Sequence, residues 1–259
     1  MKEFDFFENN PYTKQIYIFG AGYYGNLAIL YAKENSICVA GCFDNDITKQ
    51  GTYIFSGIKC LKPTKVDLPI VITVKNKKVK EDIKKQLIEL GNENIYCVDC
   101  EKLLTDMFRI SDKYFLEFRF YKTFNKMIDW DNPKTYNEKL QWLKLNDRKP
   151  LYSVLADKYL VKKYVAEMIG EQYIIPTLGV WNNFDEIDFD VLPESFVLKC
   201  THDSGSIEFV DNKDTLDLEG FKEKFTSALN IEYWRQGREW AYKNVSPKII
   251  AEARIEYDG

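Results

Sequence analysis

Histidine is almost absent from this sequence of 259 residues, in which His202 is the only one. A single imidazole without neighbouring partners supports neither a zinc site nor a Ser-His-Asp triad. The six cysteines lie in or beside strand-like runs and lack the regular spacing of a disulfide scaffold, so we interpret them as reduced thiols. Cys97 and Cys100 form a C-x-x-C pair, but no second pair or nearby histidine completes a metal site, and no metal ligand is predicted.

An excess of one charge is also missing, because 36 basic residues face 40 acidic ones and the net charge is -4. No basic field therefore predicts a nucleic-acid partner. The amino terminus lacks the segments of a signal peptide, and the longest uncharged apolar run, 68–74, is too short to span a bilayer. We expect a soluble cytoplasmic protein without a transmembrane segment, and this length with 45% hydrophobic residues favours two domains.

Glycine is concentrated at one informative place near the amino terminus. The strand-like run 16–19 leads directly into Gly20-Ala21-Gly22-Tyr23-Tyr24-Gly25 and then into a helical pattern over 26–33. This is G-x-G-x-x-G in the context that it requires. Gly20 permits a tight turn, Gly22 lets the backbone approach a phosphate, and Gly25 lets the helix pack closely. The helix amino terminus then offers free N–H groups to an anion.

A second apolar run, 37–43, ends in Asp44, about 20 residues after the glycines, where a nucleotide-binding unit keeps the acid that accepts ribose hydroxyls. The predicted nucleotide-binding residues of this region are Gly20, Gly22, Tyr23, Gly25 and Asp44. The alternative is that these glycines serve packing alone.

Strands and helices alternate along this region, with further strands predicted over 68–74 and 95–98 and a helix over 77–90. Alternation predicts a small parallel α/β sheet in residues 1–108. With its glycine motif and Phe43-Asp44-Asn45-Asp46, the segment resembles the small Rossmann-like domains fused to bacterial surface-polysaccharide enzymes. The resemblance implies a sugar nucleotide as ligand; NAD is disfavoured because the second half of a dinucleotide fold is missing.

The pattern changes after residue 108. Residues 111–127 are aromatic and basic with helical spacing, which predicts a helical linker over 109–131. Thr135 and Glu138 form a capping box that opens a helix through Lys144. Pro150 is expected to start one longer helix that ends at Ile169.

Two lysines stand out in this second region. Lys158 falls on the apolar face of the predicted long helix with Val154, Val161, Val165 and Met168, where it must reach solvent, pair with an acid such as Asp157 or Glu167, or face an anion. Lys199 ends the strand-like run 196–198, and a loop of small residues follows it. A lysine pair beside such a loop is one way to neutralise a di- or triphosphate without a Walker motif, which the chain lacks.

Residues 132–256 resemble the amino-terminal part of the TupA-like ATP-grasp family, in the ordered blocks NPKTYNEKLQWLKLNDRKPLY, DKYLVKKYV, IGEQYIIPTLGVW, LPESFVLKCTHDSGS and REWAYKNVSPKIIAEARIE. The resemblance implies an α+β fold over 132–259 and ATP as ligand. It implies that Lys158 and Lys199 hold the phosphates, that 201–206 is a flexible phosphate loop, and that 249–255 is the hinge strand beside adenine. The implied ATP-binding residues are Lys158, Lys199, Thr201, His202, Ser204, Gly205, Ser206, Glu252, Arg254 and Ile255.

The loop departs from the family pattern at one position. The resemblance assigns His202 to donation toward phosphate oxygens; the alternative is a loop histidine in solvent. Asp203 stands where the family usually has glycine. A carboxylate there is expected to repel phosphate and to stiffen the turn.

The resemblance implies an ATP-dependent carboxylate–amine ligase of bacterial surface polysaccharide synthesis, of the capsule or teichuronopeptide type, that acts through an acyl phosphate. Magnesium ligands are expected in a second half after Gly259, so this chain alone is expected to be inactive and no catalytic residue is assigned. The alternatives are a non-catalytic sugar-nucleotide-binding or scaffold protein and, less favoured, an NAD-dependent oxidoreductase. The expected partners are a small-molecule nucleotide and a sugar or polysaccharide precursor, and a homo-oligomer stays open.

Overall fold

A computed structural model describes residues 2–7 and 14–255. Its contacts divide the chain into two compact units, Met1–Lys139 and Leu140–Gly259. The boundaries at 108 and 131 that the sequence suggests stay predictions. Within 2–7 and 14–255, no helix combines the length and the apolar character that a membrane crossing needs. The six cysteines are free thiols, in agreement with their spacing.

The first unit is built on a seven-stranded sheet in the order β1-β7-β6-β2-β3-β5-β4. Neighbouring strands are parallel except for the antiparallel pair β4 and β5. The strands are β1 Lys2–Glu3, β2 Gln15–Phe19, β3 Cys38–Phe43, β4 Tyr53–Ile54, β5 Ile58–Leu61, β6 Ile70–Ile72 and β7 Ile95–Cys97. The central strand β2 pairs with both β3 and β6, which places the glycine-rich turn after Phe19 at the carboxyl edge of the sheet.

Four helices belong to this part of the chain: α1 Tyr23–Glu34, α2 Lys77–Glu89, α3 Cys100–Thr105 and α4 Asp112–Phe124. The Asn76 side chain accepts the N–H of Val79 at 3.1 Å and so caps α2, and Gly91 follows its end with a φ of +85°. Lys33 of α1 and Glu117 of α4 form an ion pair at 2.5 Å, so the aromatic helix predicted within 111–127 packs on α1.

The predicted strands of the first unit are confirmed: β2 begins one residue earlier than predicted, and β3, β6 and β7 are shorter. The structure is mixed α/β with a mainly parallel sheet. Helix α1 starts three residues before the predicted 26–33 because Gly22 takes the N-cap position. The sequence missed β1, β4 and β5. Two of these have only two residues, too few to show an alternating pattern.

The second part of the chain contains a four-stranded antiparallel sheet in the order β10-β9-β11-β8. The strands are β8 Thr177–Trp181, β9 Phe196–Cys200, β10 Ile207–Val210 and β11 Ile249–Ala253. The helices are α5 Tyr136–Asn146, α6 Pro150–Ala156, α7 Leu160–Ile169, α8 Leu218–Leu229 and α9 Trp234–Gly237. Side chains from one face of β9 and β11 form a core with α8, which includes Phe196, Leu198, Cys200, Phe225, Ala228, Ile249 and Ala251.

The prediction of one helix from Pro150 to Ile169 is wrong, because the chain breaks between α6 and α7. The buried Asp157 carboxylate accepts the N–H groups of Tyr159 at 2.8 Å and Leu160 at 3.1 Å, which starts a new helix. Lys158 therefore lies in the break and not on a helical face, and Met168, expected beside it, is 68% exposed.

Candidate functional site

The loop 201–206 connects β9 and β10 as a hairpin. Lys199 is paired with Ile207, and the N–H of Cys200 donates to the carbonyl of Ser206 at 2.9 Å. Thr201 is fully buried: its hydroxyl donates to the Ser246 carbonyl at 3.2 Å and accepts the N–H of Lys248 at 3.1 Å. The loop base is thus held by hydrogen bonds on both sides.

Lys158 holds this loop from the break between α6 and α7. Its side-chain amino group donates to the carbonyl oxygen of Cys200 at 2.8 Å and to that of Asp203. Its backbone N–H donates to the Thr201 carbonyl at 3.1 Å. Burial lowers the pKa of Lys158 below its ordinary value; Lys199 adds to this effect, while the Asp203 carboxylate opposes it. The Lys158 ammonium is partly desolvated, and its two hydrogen bonds to carbonyl oxygens use two of its three N–H donors. An anion beside it would therefore be stabilised.

The Asp203 carboxylate points into the loop. One oxygen accepts the hydroxyl of Ser206, and the other lies 3.8 Å from the Lys158 amino group, an ion pair beyond hydrogen-bond range. The exposed tip of the loop is Ser204 and Gly205, where Gly205 has a φ of +139°. Free polar groups of the loop that face solvent therefore come from the tip.

His202 is buried, at 3% exposure, so the alternative of a solvent-exposed loop histidine is wrong. Its Nε2 lies 3.2 Å from the carbonyl oxygen of Ala228 in the last turn of α8, and its buried Nδ1 has no hydrogen-bond partner. The ring packs under the loop in this conformation. A role for His202 at phosphate stays a prediction that requires the loop to move.

Lys199 and a lysine that the sequence reasoning missed, Lys162, share one carboxylate. Glu252 of β11, with its side chain only 4% exposed, lies 2.6 Å from the Lys162 amino group through Oε1 and pairs with Lys199 through Oε2. Lys162 also donates to the Ile175 carbonyl at 2.5 Å. The sequence signal was present, since Lys162 follows Lys158 by four positions, but only the sheet brings Glu252 to both cations.

The end of β11 completes this group of residues. Ala253 is the last paired residue of the strand, opposite Phe196, and its N–H donates to the Pro176 carbonyl at 2.9 Å. Arg254 pairs with Asp211, and Ile255 is 70% exposed. The backbone of 254–255 therefore lies beyond the sheet pairing.

A family model described as TupA-like ATPgrasp matches residues 138–258. This match confirms the resemblance to the TupA-like ATP-grasp family that the ordered sequence blocks indicate. A comparison with curated proteins found no match. The family match supports an ATP-grasp-type function in general, and ATP with magnesium is what this family generally binds.

An open cleft of about 870 Å³ lies in this ATP-grasp region, beside Lys162. Helix α7 forms one wall and the segment before β8 the other; its lining residues are Tyr159, Leu160, Lys162, Lys163, Ala166, Glu167, Glu171, Ile174 and Pro176. Within 2–7 and 14–255, no group of three or more His, Cys, Asp or Glu side chains is placed to hold a metal ion.

In the first unit, the three motif glycines have different surroundings. Gly20 has a φ of +118°, and a Cβ there would lie 2.9 Å from Oγ1 of Thr73. A Cβ on Gly25 would lie 1.7 Å from the Gly20 carbonyl oxygen, whereas a Cβ on Gly22 would have no neighbour within 4 Å. Packing within the protein thus accounts for glycine at positions 20 and 25. It does not account for glycine at position 22, where a ligand could approach the backbone.

Asp44 is already bound to the glycine-rich turn. One carboxylate oxygen accepts the N–H of Ala21 at 2.7 Å and lies 3.3 Å from the Lys49 amino group, and the other accepts the N–H of Asp46 at 2.8 Å. Tyr23 is 42% exposed at the start of α1. The structure therefore brings Gly22, Tyr23 and Asp44 to one edge of the sheet. The Asp44 carboxylate, however, already accepts backbone N–H groups of the protein.

Proposed function

We propose that the ATP-grasp region binds ATP at the base of the β9–β10 loop, with Lys158 and Lys199 beside the phosphates. The observation that carries the proposal is that the Lys158 side chain holds the backbone of the loop while Lys199 ends the strand that leads into it. Both ammonium groups are partly withdrawn from water, so each gains more from an anionic ligand than a surface lysine does. The residues present fit a triphosphate in charge and in donor type.

The remaining predicted ATP-binding residues divide into two groups. In the loop, the side chains of Thr201 and His202 face inward, so the donors nearest to solvent are those of the tip residues Ser204 and Gly205. The Ser206 hydroxyl donates to Asp203 and would have to leave it to reach a phosphate. On the other side, Glu252, Arg254 and Ile255 lie at or just beyond the end of β11, where the strand backbone would meet adenine. Bound magnesium would supply charge neutralisation between phosphates.

For the reaction, we propose carboxylate–amine ligation through an acyl phosphate in the synthesis of a bacterial surface polysaccharide. A carboxylate oxygen of the substrate attacks the γ-phosphorus and ADP leaves; the amine then attacks the acyl carbon, phosphate leaves and the amine loses a proton. Lys158 and Lys199 would stabilise the charge on the transferring phosphoryl group. Their part is electrostatic, since neither lysine is a nucleophile in this scheme. This assignment places the protein in the cytoplasm, where ATP is available.

A second candidate is a non-catalytic protein in which the first unit binds a sugar nucleotide through a Rossmann-like turn and the ATP-grasp region is a scaffold. Two observations favour it. The space beside Gly22 is free of protein atoms, and both lysine amino groups already have protein acceptors. The two candidates differ in whether the second region binds ATP.

The deciding experiment is titration with a non-hydrolysable ATP analogue and Mg²⁺. Lys199→Ala is expected to weaken binding by about 1.5 to 3 kcal/mol, as for a hydrogen bond to a charged group. The control is Lys222→Ala on α8, whose lysine pairs with Asp185 at 2.7 Å and lies outside the loop, the hinge strand and the lysine pair. Equal affinity in the wild type and Lys199→Ala would rule out this site, and a wild type that binds no ATP would favour the scaffold.

A further inference from the structure

Glu252 is a buried carboxylate with one lysine on each oxygen. The three side chains come from three elements: Lys162 from α7, Lys199 from β9 and Glu252 from β11. Strand pairing fixes two of them, because Glu252 lies opposite Val197 and therefore two positions along β9 from Lys199. The tertiary structure determines this arrangement, and all three charged groups are largely shielded from bulk water.

The two lysines differ in their other contacts. Lys162 is 14% exposed and also donates to the carbonyl of Ile175, which anchors it to the segment before β8. Lys199 stands at the start of the loop 201–206, whose backbone Lys158 holds. Lys199 is thus the lysine of the pair that lies next to the proposed phosphate loop, whereas Lys162 lines the open cleft beside α7.

We propose that Lys162 is a positioning residue of the ATP site: it is the permanent partner of Glu252, while Lys199 exchanges from Glu252 to a phosphate when a nucleotide binds. This inference rests on the proposed ATP site. Removal of one partner from a buried ion pair leaves an uncompensated charge and is strongly unfavourable. With Lys162 in place, Glu252 stays paired after Lys199 has moved. Nucleotide binding is therefore not weakened by the free energy of leaving a buried carboxylate unpaired.

The proposal predicts a pattern that depends on phosphate. Lys162→Met should weaken binding of a non-hydrolysable ATP analogue by about tenfold or more, because Lys199 then leaves Glu252 unpaired when it moves. Binding of adenosine, which has no phosphate to attract Lys199, should change by less than about twofold. Removal of the carboxylate as well, in Lys162→Met with Glu252→Gln, should restore ATP affinity to that of Glu252→Gln alone.

The test is titration of the 259-residue chain and these variants with both ligands, beside Lys199→Met and a melting curve for each protein. If Lys162→Met alone does not fold, the comparison of Glu252→Gln with the double variant decides, and a tenfold gap between them overturns the proposal. Equal ATP affinity in the wild type and Lys162→Met, with weak binding by Lys199→Met, overturns it while the ATP site stands. If Lys199→Met also binds like the wild type, the ATP site itself is wrong.

Discussion

The amino group of Lys158 donates to the carbonyl oxygen of Cys200 at 2.8 Å. This bond ties the break between α6 and α7 to the start of the β9–β10 loop. The lysine is held by carbonyl dipoles and by a carboxylate at 3.8 Å, so it is a charged structural link before any ligand arrives. Its structural role in the loop and its proposed role at phosphate can be separated by experiment.

The first prediction concerns pH. Because burial lowers the pKa of Lys158 from its ordinary 10.5, the unfolded chain binds more protons than the folded chain between the two pKa values. The free energy of unfolding of the wild type should therefore rise relative to Lys158→Met as pH increases through the folded pKa toward 10.5. Urea denaturation of both proteins at several alkaline pH values measures the difference, and a difference that is flat with pH contradicts the assignment.

The second prediction concerns Asp203. In Asp203→Gly the hydroxyl of Ser206 loses its acceptor, so the free energy of unfolding should fall by about 1 to 3 kcal/mol and the loop should be cleaved faster by protease. Affinity for an ATP analogue should rise, since the negative charge beside Lys158 and the proposed phosphate site is removed.

Asp203→Asn is the matched control for that change, because it removes the charge and keeps an acceptor for Ser206. It should bind the analogue more tightly than the wild type without the gain in protease cleavage. Unchanged affinity in both variants would show that the Asp203 carboxylate does not oppose phosphate.

The third prediction separates the glycines of the first unit by packing. Gly25→Ala places a Cβ against the backbone oxygen of Gly20, which cannot rotate away, so the first unit should lose about 2 kcal/mol of stability or more. Gly22→Ala meets no atom within 4 Å and should melt close to the wild type. Thermal denaturation followed by circular dichroism compares them, and similar melting of both variants would contradict this packing.

The fourth prediction concerns a ligand of the first unit. Gly22→Val leaves the fold intact, because the site is open, but two methyl groups block the approach of a diphosphate to the backbone. Calorimetry with sugar nucleotides and with NAD should show weaker binding by the variant. If the wild type binds neither at millimolar concentration, the turn has a structural role only.

Features that depend on neighbours along the chain could be predicted from the sequence. The capping box is one: the N–H of Thr135 donates to the Glu138 carboxylate at 2.7 Å, and the N–H of Glu138 donates to the Thr135 hydroxyl at 3.3 Å. The strand, glycine-rich turn and helix around Gly20 are another, and the resemblance to the TupA-like ATP-grasp family, which a family model matches over 138–258, is a third. Each is determined within a few residues or by several ordered blocks, so a single chain contains the necessary information.

Tertiary structure alone decided the contacts between distant segments. Asp157 stops a helix that periodicity would continue, because the chain turns there to bring Lys158 under a loop more than forty positions away. The burial of His202 against Ala228 and the pairing of Glu252 with Lys162 and Lys199 depend on how α8 and β11 pack beside β9. A buried charged side chain requires a partner of opposite charge, because an unpaired buried charge is strongly unfavourable. For Glu252, the order of the strands in the sheet determines that partner, and the spacing along the sequence does not reveal it.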